Sequence, residues 1–205
     1  MKLLNLLKKK SKDSEPIASK DFLKKVYSND EMSGAYIIEV SLNKYTEVFN
    51  EWDPAPFKLR DLDPDLLFYM EECAADIPLK YPVILDFYLP EEKFDHKKEE
   101  VIITGMENYF SFNINIISKK LFQTNRKALF DAVIGFSFLA GAWILEPVVV
   151  KRAFLKILLE GLFIGGWVFL WEAFYTFFFE NSAVYQKRKQ YRRFLKASIR
   201  FKYAR

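Results

Sequence analysis

One cysteine and one histidine occur among 205 residues. The single thiol, Cys73, excludes an intrachain disulfide and fits a reducing compartment. The single histidine, His96, leaves no cysteine–histidine set with the spacing that zinc requires. It lies among lysines and glutamates, the setting of a solvated surface residue. GxSxG, P-loop, HExxH and GxGxxG motifs are all missing, which removes nucleophile elbows, phosphate cradles, zincin sites and dinucleotide folds. Carboxylates are plentiful, but no spacing sets two of them together for acid–base work. The chain is therefore expected not to be an enzyme, and to carry neither cofactor nor metal. A cleavable leader is not expected either. In MKLLNLLKKK the charges follow a very short apolar run, the reverse of a signal peptide's order.

Long apolar runs, by contrast, are present. Leu129–Leu145 reads LFDAVIGFSFLAGAWIL and Ile157–Phe179 reads ILLEGLFIGGWVFLWEAFYTFFF. A helix needs about 20 residues to cross a hydrocarbon core of about 30 Å, so the second run suffices and the first needs its flanks. Both runs are apolar all round rather than on one stripe, which favours lipid over the interior of a soluble protein. The short EPVVVKRAFLK between them predicts a transmembrane hairpin. Lysine and arginine bias sets its orientation. Lys119, Lys120, Arg126 and Lys127 precede the first run, and nine basic residues with no acid fill positions 186–205. The turn has only Lys151, Arg152 and Lys156, so both termini are predicted on the cytoplasmic side.

Four segments follow from this pattern. Residues 1–34 read as a basic, flexible segment, in which Leu3, Leu4, Leu6 and Leu7 with Lys8, Lys9 and Lys10 can lie on a membrane surface or simply be solvated. Residues 35–127 read as a cytosolic α/β sensor domain, 128–180 as the hairpin, and 181–205 as a basic cytosolic tail. Within the domain, 35–42 and 82–89 are strand-like. Tyr45, Val48, Phe49 and Trp52 have the spacing of one helical face, closed by Asp53-Pro54-Ala55-Pro56. Asp61, Asp63 and Asp65 alternate in a way that invites a hard cation. Capping explains the triplet better: Asp63 at the N-cap and Pro64 at N1 start a helix over 64–75. Val101–Leu121 has near-helical apolar spacing. In the tail, 184–197 is helical in pattern, while 198–203 alternates with period two, a strand free to cover an open sheet edge. The fold class is thus an α+β cytosolic domain, a small βαβα unit that a C-terminal strand can complete, plus a two-helix transmembrane hairpin.

Inside the hairpin, Gly161, Gly165, Val168 and Glu172 share one stripe of the second run, and Asp131, Gly135, Phe138 and Ala142 share one on the first. Small residues at such spacing let helix backbones approach closely. Glu172 lies inside the span, where a charge costs at least about 2.5 kcal/mol unless paired or wetted. It reads either as a pore-lining or interhelical polar site with Asp131, or as an acid paired to Arg126, Lys127 or a tail lysine. Glu160 reads as an interfacial partner of Lys156. Trp143, Trp167 and Trp171 fit a belt or a packing role. The basic tail, with Tyr185, Tyr191, Phe194, Phe201 and Tyr203, suits anionic lipid, or single-stranded nucleic acid by stacking and phosphate contact.

The segments VFNEWDPAPFKLRDLDPDLLFYMEECAADIP, VILDFYLP and ILLEGLFIGGWVFLWEAF resemble a group of small bacterial proteins with a soluble N-terminal domain, two C-terminal spans and a basic tail. More specifically, the chain resembles the transmembrane effectors of the Hailong antiphage system, which work beside a nucleotidyltransferase. The resemblance covers the chain from about Ala35 and is one of layout. It implies a homo-oligomeric ion channel in the bacterial inner membrane. Its cytosolic domain would bind a nucleotide or a short DNA oligomer made by the partner nucleotidyltransferase. The oligomer would hold the pore closed, and its loss during infection would open it. A site for such a ligand needs cations and rings, for which Lys58 and Arg60 beside Trp52 and Phe57, and Arg192 and Arg193 in the tail, are the candidates. The alternative is a non-conducting, membrane-anchored scaffold that recruits a cytosolic partner.

Overall fold

The computed structural model describes residues 23, 25–149 and 153–204; the leucines and lysines of positions 3–10, and Lys151 and Arg152, lie outside them. The protein is mixed helix and strand, with a small parallel three-stranded sheet and two long apolar helices. It divides into two compact units: the described parts of Met1–Ser111 with Gln190–Arg205 form the first, and Phe112–Lys189 the second.

In the first unit, β1 (Tyr36–Ser41) pairs in parallel with β2 (Val83–Pro90), which pairs in parallel with β3 (Ser198–Ala204). The chain's last strand therefore completes a sheet begun more than a hundred residues earlier, with β2 in the middle. Its central place explains why VILDFYLP is a nearly unbroken apolar run: every β2 residue from Val83 to Phe87 is buried, as parallel strands covered on both faces are. Register sets Glu39, Asp86 and Arg200 side by side across the three strands.

Helix α1 (Pro64–Asp76) connects β1 to β2. Asp63 caps it, accepting from the Asp65 and Leu66 amides at 3.0 and 3.1 Å, and Pro64 opens it where a missing N–H costs nothing. That carboxylate oxygen is thus spent on the helix start. The helix expected over Tyr45–Trp52 is one 3-10 turn, Tyr45–Val48. Tyr45, Val48 and Phe49 are buried, whereas Trp52 is 93% exposed. The apolar spacing is real, but Asn50 and Asp53 fold the chain into a loop before a second turn can form. Asn50 Oδ1 accepts from the Trp52 amide and Asp53 from those of Ala55 and Asp61.

Helix α2 (His96–Val149) runs unbroken for 54 residues, two beyond Pro147. The apolar run from Leu129 is thus the later part of a helix that starts in the first unit. Ile102, Met106 and Phe110, at i, i+4 and i+8, are buried in that unit's core. Phe110 stacks on Phe194 at 5.2 Å and meets Tyr191 edge-on at 5.4 Å. Helix α3 (Ala153–Tyr175) passes through a π-helical turn, Thr176–Glu180, into α4 (Asn181–Leu195).

Candidate functional site

In the second unit, buried positions on α2 recur every seven residues: Leu121, Ala128, Gly135, Ala142 and Val149. Leu159, Gly166 and Ala173 repeat the period on α3. A strict heptad of buried residues is the seam of two helices wound around each other. Small side chains at its centre bring the backbones close. A Cβ added to Gly135 would stand 2.8 Å from the Gly166 carbonyl oxygen, and one on Gly166 2.8 Å from Leu139. Gly165 lies against Phe138, while nothing stands within 4 Å of Gly161's missing side chain. The contact therefore runs through Gly135, Gly165 and Gly166. After Ala173 the next buried seam-side residues are Thr176 and Asn181, so the seven-residue step from Ala173 becomes eight across the π turn, which accommodates one extra residue.

Polar groups gather where that period breaks. Lys127 Nζ lies 3.2 Å from Glu172 Oε1, with both side chains about half exposed. Asn181 Nδ2 donates to Asn125 Oδ1 at 2.8 Å, and Asn125 Nδ2 to the Tyr185 hydroxyl at 3.4 Å. Asp131 is buried at 7% exposure, and its Oδ2, like the Thr176 Oγ1, has no hydrogen-bond partner among the described residues. A buried oxygen left unpaired costs about 1–3 kcal/mol, so these two mark a place where the packing is not self-sufficient. Beyond this seam the two helices are bare. Only 22% and 6% of their most apolar windows are buried. Trp171, Phe174, Tyr175, Phe177, Phe178 and Phe179 are each 46–68% exposed.

In the first unit, the loop from Asn50 to Asp61 gathers Trp52, Phe57, Lys58 and Arg60. It is closed by the Asn50 amide donating to the Asp61 carbonyl at 2.9 Å. Hydrogen bonds from the Asp61 and Ala55 amides hold the Asp53 carboxyl below its ordinary value. Arg60 lies 4.5 Å over the Phe57 ring and donates to the Ala55 carbonyl, while Lys58 and Trp52 project outward. The two tail arginines have different surroundings. Arg192 is exposed, whereas Arg193 is buried and donates to the carbonyls of Ala74, Ile77 and Pro78 at the end of α1. Burial lowers its guanidinium to about 10, still charged at neutral pH. Arg193 therefore caps a helix, and its terminal nitrogens are occupied.

Two groups of residues are not visible in the sequence pattern. Over the two apolar runs the heptad is hidden because residues on every side are apolar; Gly135 and Ala142, which spacing already sets on one stripe, and Ala128 before them are the small residues that betray the seam. The ion cluster on Asp86 is hidden because its cations lie 114 and 116 positions away in sequence, at Arg200 and Lys202. A carboxylate within an otherwise apolar strand is the one available hint.

No protein-family model matches the chain, and no curated protein or solved structure matches it.

Proposed function

We propose that this protein is a non-enzymatic membrane effector. Its α2–α3 hairpins assemble as a homo-oligomer around an ion path that the first unit gates. The observation that carries this is the Lys127–Glu172 pair, half exposed at the end of an otherwise apolar surface. Facing lipid, such a pair is costly; facing a water-filled path, it is solvated. The uncovered aromatic surface of both helices fits the bilayer, with a span of about 20 residues each. One hairpin cannot enclose water, so several copies are needed. Basic residues at 119, 120, 126, 127 and throughout α4 favour both termini on the cytoplasmic side of a bacterial inner membrane.

Gating follows from connectivity. The first unit is joined to the hairpin by α2 on the way in and α4 on the way out, and β3 closes the circuit. A ligand shifts the open–closed balance only through different affinity for the two states. The resemblance to the Hailong effectors supplies the ligand class, a nucleotide or short DNA oligomer made by a partner nucleotidyltransferase. The role in antiphage defence comes from the same source. Loop residues Trp52, Lys58 and Arg60, with Arg192, provide exposed rings and cations for it. The test is ion efflux from liposomes loaded with potassium, with and without short single-stranded DNA. Efflux that the oligomer suppresses supports a pore held closed by its ligand, and efflux indifferent to it removes the ligand.

One observation favours a second reading, a non-conducting scaffold. Trp52 is 93% exposed on a loop fixed by its own hydrogen bonds, as a docking residue for a protein partner would be. Liposomes that hold potassium under every condition, with the protein inserted, would favour it.

A further inference from the structure

Lys127 has more than one acid around it. Its Nζ is 3.2 Å from Glu172 Oε1 on α3, and Asp131 and Glu180 are close enough for their charges to act on it. The two further acids differ in what they need. Glu180 is exposed, so water serves it. Asp131 is 7% exposed, and its Oδ2 has no hydrogen-bond partner among the described residues. Asp131 also follows Lys127 by four residues on α2. Side chains at i and i+4 share one helix face, and the later one leans back towards the earlier. Lys127 therefore has a second acceptor one turn away on its own helix, reached by a change of its side-chain rotamers alone.

Each pairing leaves a different acid unmet. With Lys127 on Glu172, the buried Asp131 goes without a partner. With Lys127 on Asp131, Glu172 is released, and its side chain is 49% exposed. A released carboxylate is tolerable beside water and costly beside lipid or in a dry seam. The balance between the two pairings thus depends on whether the surface at Glu172 is wet. A dry surface holds the lysine on Glu172. A water-filled one solvates Glu172 and lets the lysine satisfy Asp131.

We propose that Lys127 is a two-position switch of the ion path, bonded to Glu172 when the path is closed and to Asp131 when it is open. The switch rests on the reading of the Lys127–Glu172 pair as part of that path. It adds Asp131 as the positioning residue that holds the lysine aside.

Single-channel recording of the full-length protein in planar bilayers reads the open–closed ratio separately from the unitary conductance. Asp131→Asn keeps the shape and removes the charge; it should lower the open–closed ratio at least about threefold, and Asp131→Glu should recover it in part. Glu172→Gln removes the closed-state partner and should raise the ratio by a similar factor. In Lys127→Gln neither substitution should move the ratio further. A loss of packing alone would move both variants in the same direction. Currents whose open–closed ratio Asp131→Asn leaves unchanged would uphold the path and overturn the switch. A ratio that Glu180→Gln lowers in place of Asp131→Asn would overturn it too. Glu172→Gln tests the switch even where Asp131→Asn fails to insert, since an unchanged or lowered ratio there contradicts it. No current from the inserted, unaltered protein would remove the path, and the switch with it.

Discussion

Asp86, wholly buried at the middle of β2, accepts from Arg200 Nε at 2.6 Å and from Arg200 Nη2 at 3.0 Å, a two-pronged bond across the β2–β3 boundary. Lys202 Nζ reaches the same carboxylate at 2.7 Å. Arg200 also lies 3.5 Å from Asp30, and Lys202 3.3 Å from the Tyr88 hydroxyl. The last strand is thus held in register by side chains as well as by its ladder. Asp86→Asn replaces a charge-assisted contact with two cations by a neutral amide, while Arg200 and Lys202, 35% and 42% exposed, remain solvated. Asp86→Asn is therefore expected to destabilise the first unit by about 1–3 kcal/mol. Hydrogen exchange should show the loss of protection concentrated in residues 198–204.

The same carboxylate gives the strand a pH dependence. Burial pushes the Asp86 carboxyl up, but hydrogen bonds and charge from Arg200 and Lys202 outweigh it and hold it below its ordinary value. A carboxyl lowered by folding stabilises fully above its unfolded value, about 3.9, and its contribution fades as pH falls through the folded value. Protection of β3 should therefore not change through this group between about pH 8 and pH 5, and should fall below about pH 4. In Asp86→Asn the acid-dependent part should be missing.

The tail arginines separate cleanly. Arg193→Ala removes donors from three carbonyls at the end of α1 and should cost about 1–3 kcal/mol in urea unfolding of the first unit. Arg192→Ala, at an exposed site, should stay within about 0.5 kcal/mol. If Arg192 contributes to a nucleic-acid site, the same variant should weaken short-DNA binding and flatten its salt dependence, with folding intact.

The helix seam makes an equally sharp contrast. Gly135→Leu drives a side chain into the Gly166 carbonyl and Leu170, and should part the helices. Gly161→Leu meets open space within 4 Å and should leave the hairpin intact. Cysteines engineered at Phe138 and Phe169, whose rings meet across the two helices at 5.7 Å, should be joined by a short bifunctional crosslinker in the parent and in Gly161→Leu, and lose that crosslink in Gly135→Leu.

How much of this is legible in the sequence depends on the range of the interactions. The strands, the Asp63 cap and the two apolar helices are local patterns, and each has its counterpart in the structure. The period-two tail at Ser198–Ala204 even discloses its destination, since an alternating strand needs an edge. What stays hidden is set by tertiary contact. Tyr45–Trp52 has a helix's spacing, yet Asn50 and Asp53 turn it into a loop by capping amides locally. Arg193 looks like one more cation in a basic run, and only α1's end shows it to be a cap. Gly161 and Gly165 are the seam glycines that spacing picks out. The helix rotation, fixed by which residues the partner helix touches, sets Gly165 against Phe138, adds Gly166 and leaves Gly161 open.

Single-channel recording in planar bilayers, comparing the protein with Glu172→Gln at equal insertion, tests the central claim most directly. Discrete currents are expected from the unaltered protein, suppressed by short single-stranded DNA. Glu172→Gln should retain discrete openings with changed unitary conductance, because it alters the charge beside Lys127 on the proposed path. A silent bilayer with inserted protein, or openings whose conductance Glu172→Gln leaves unchanged, would contradict a pore lined by that pair.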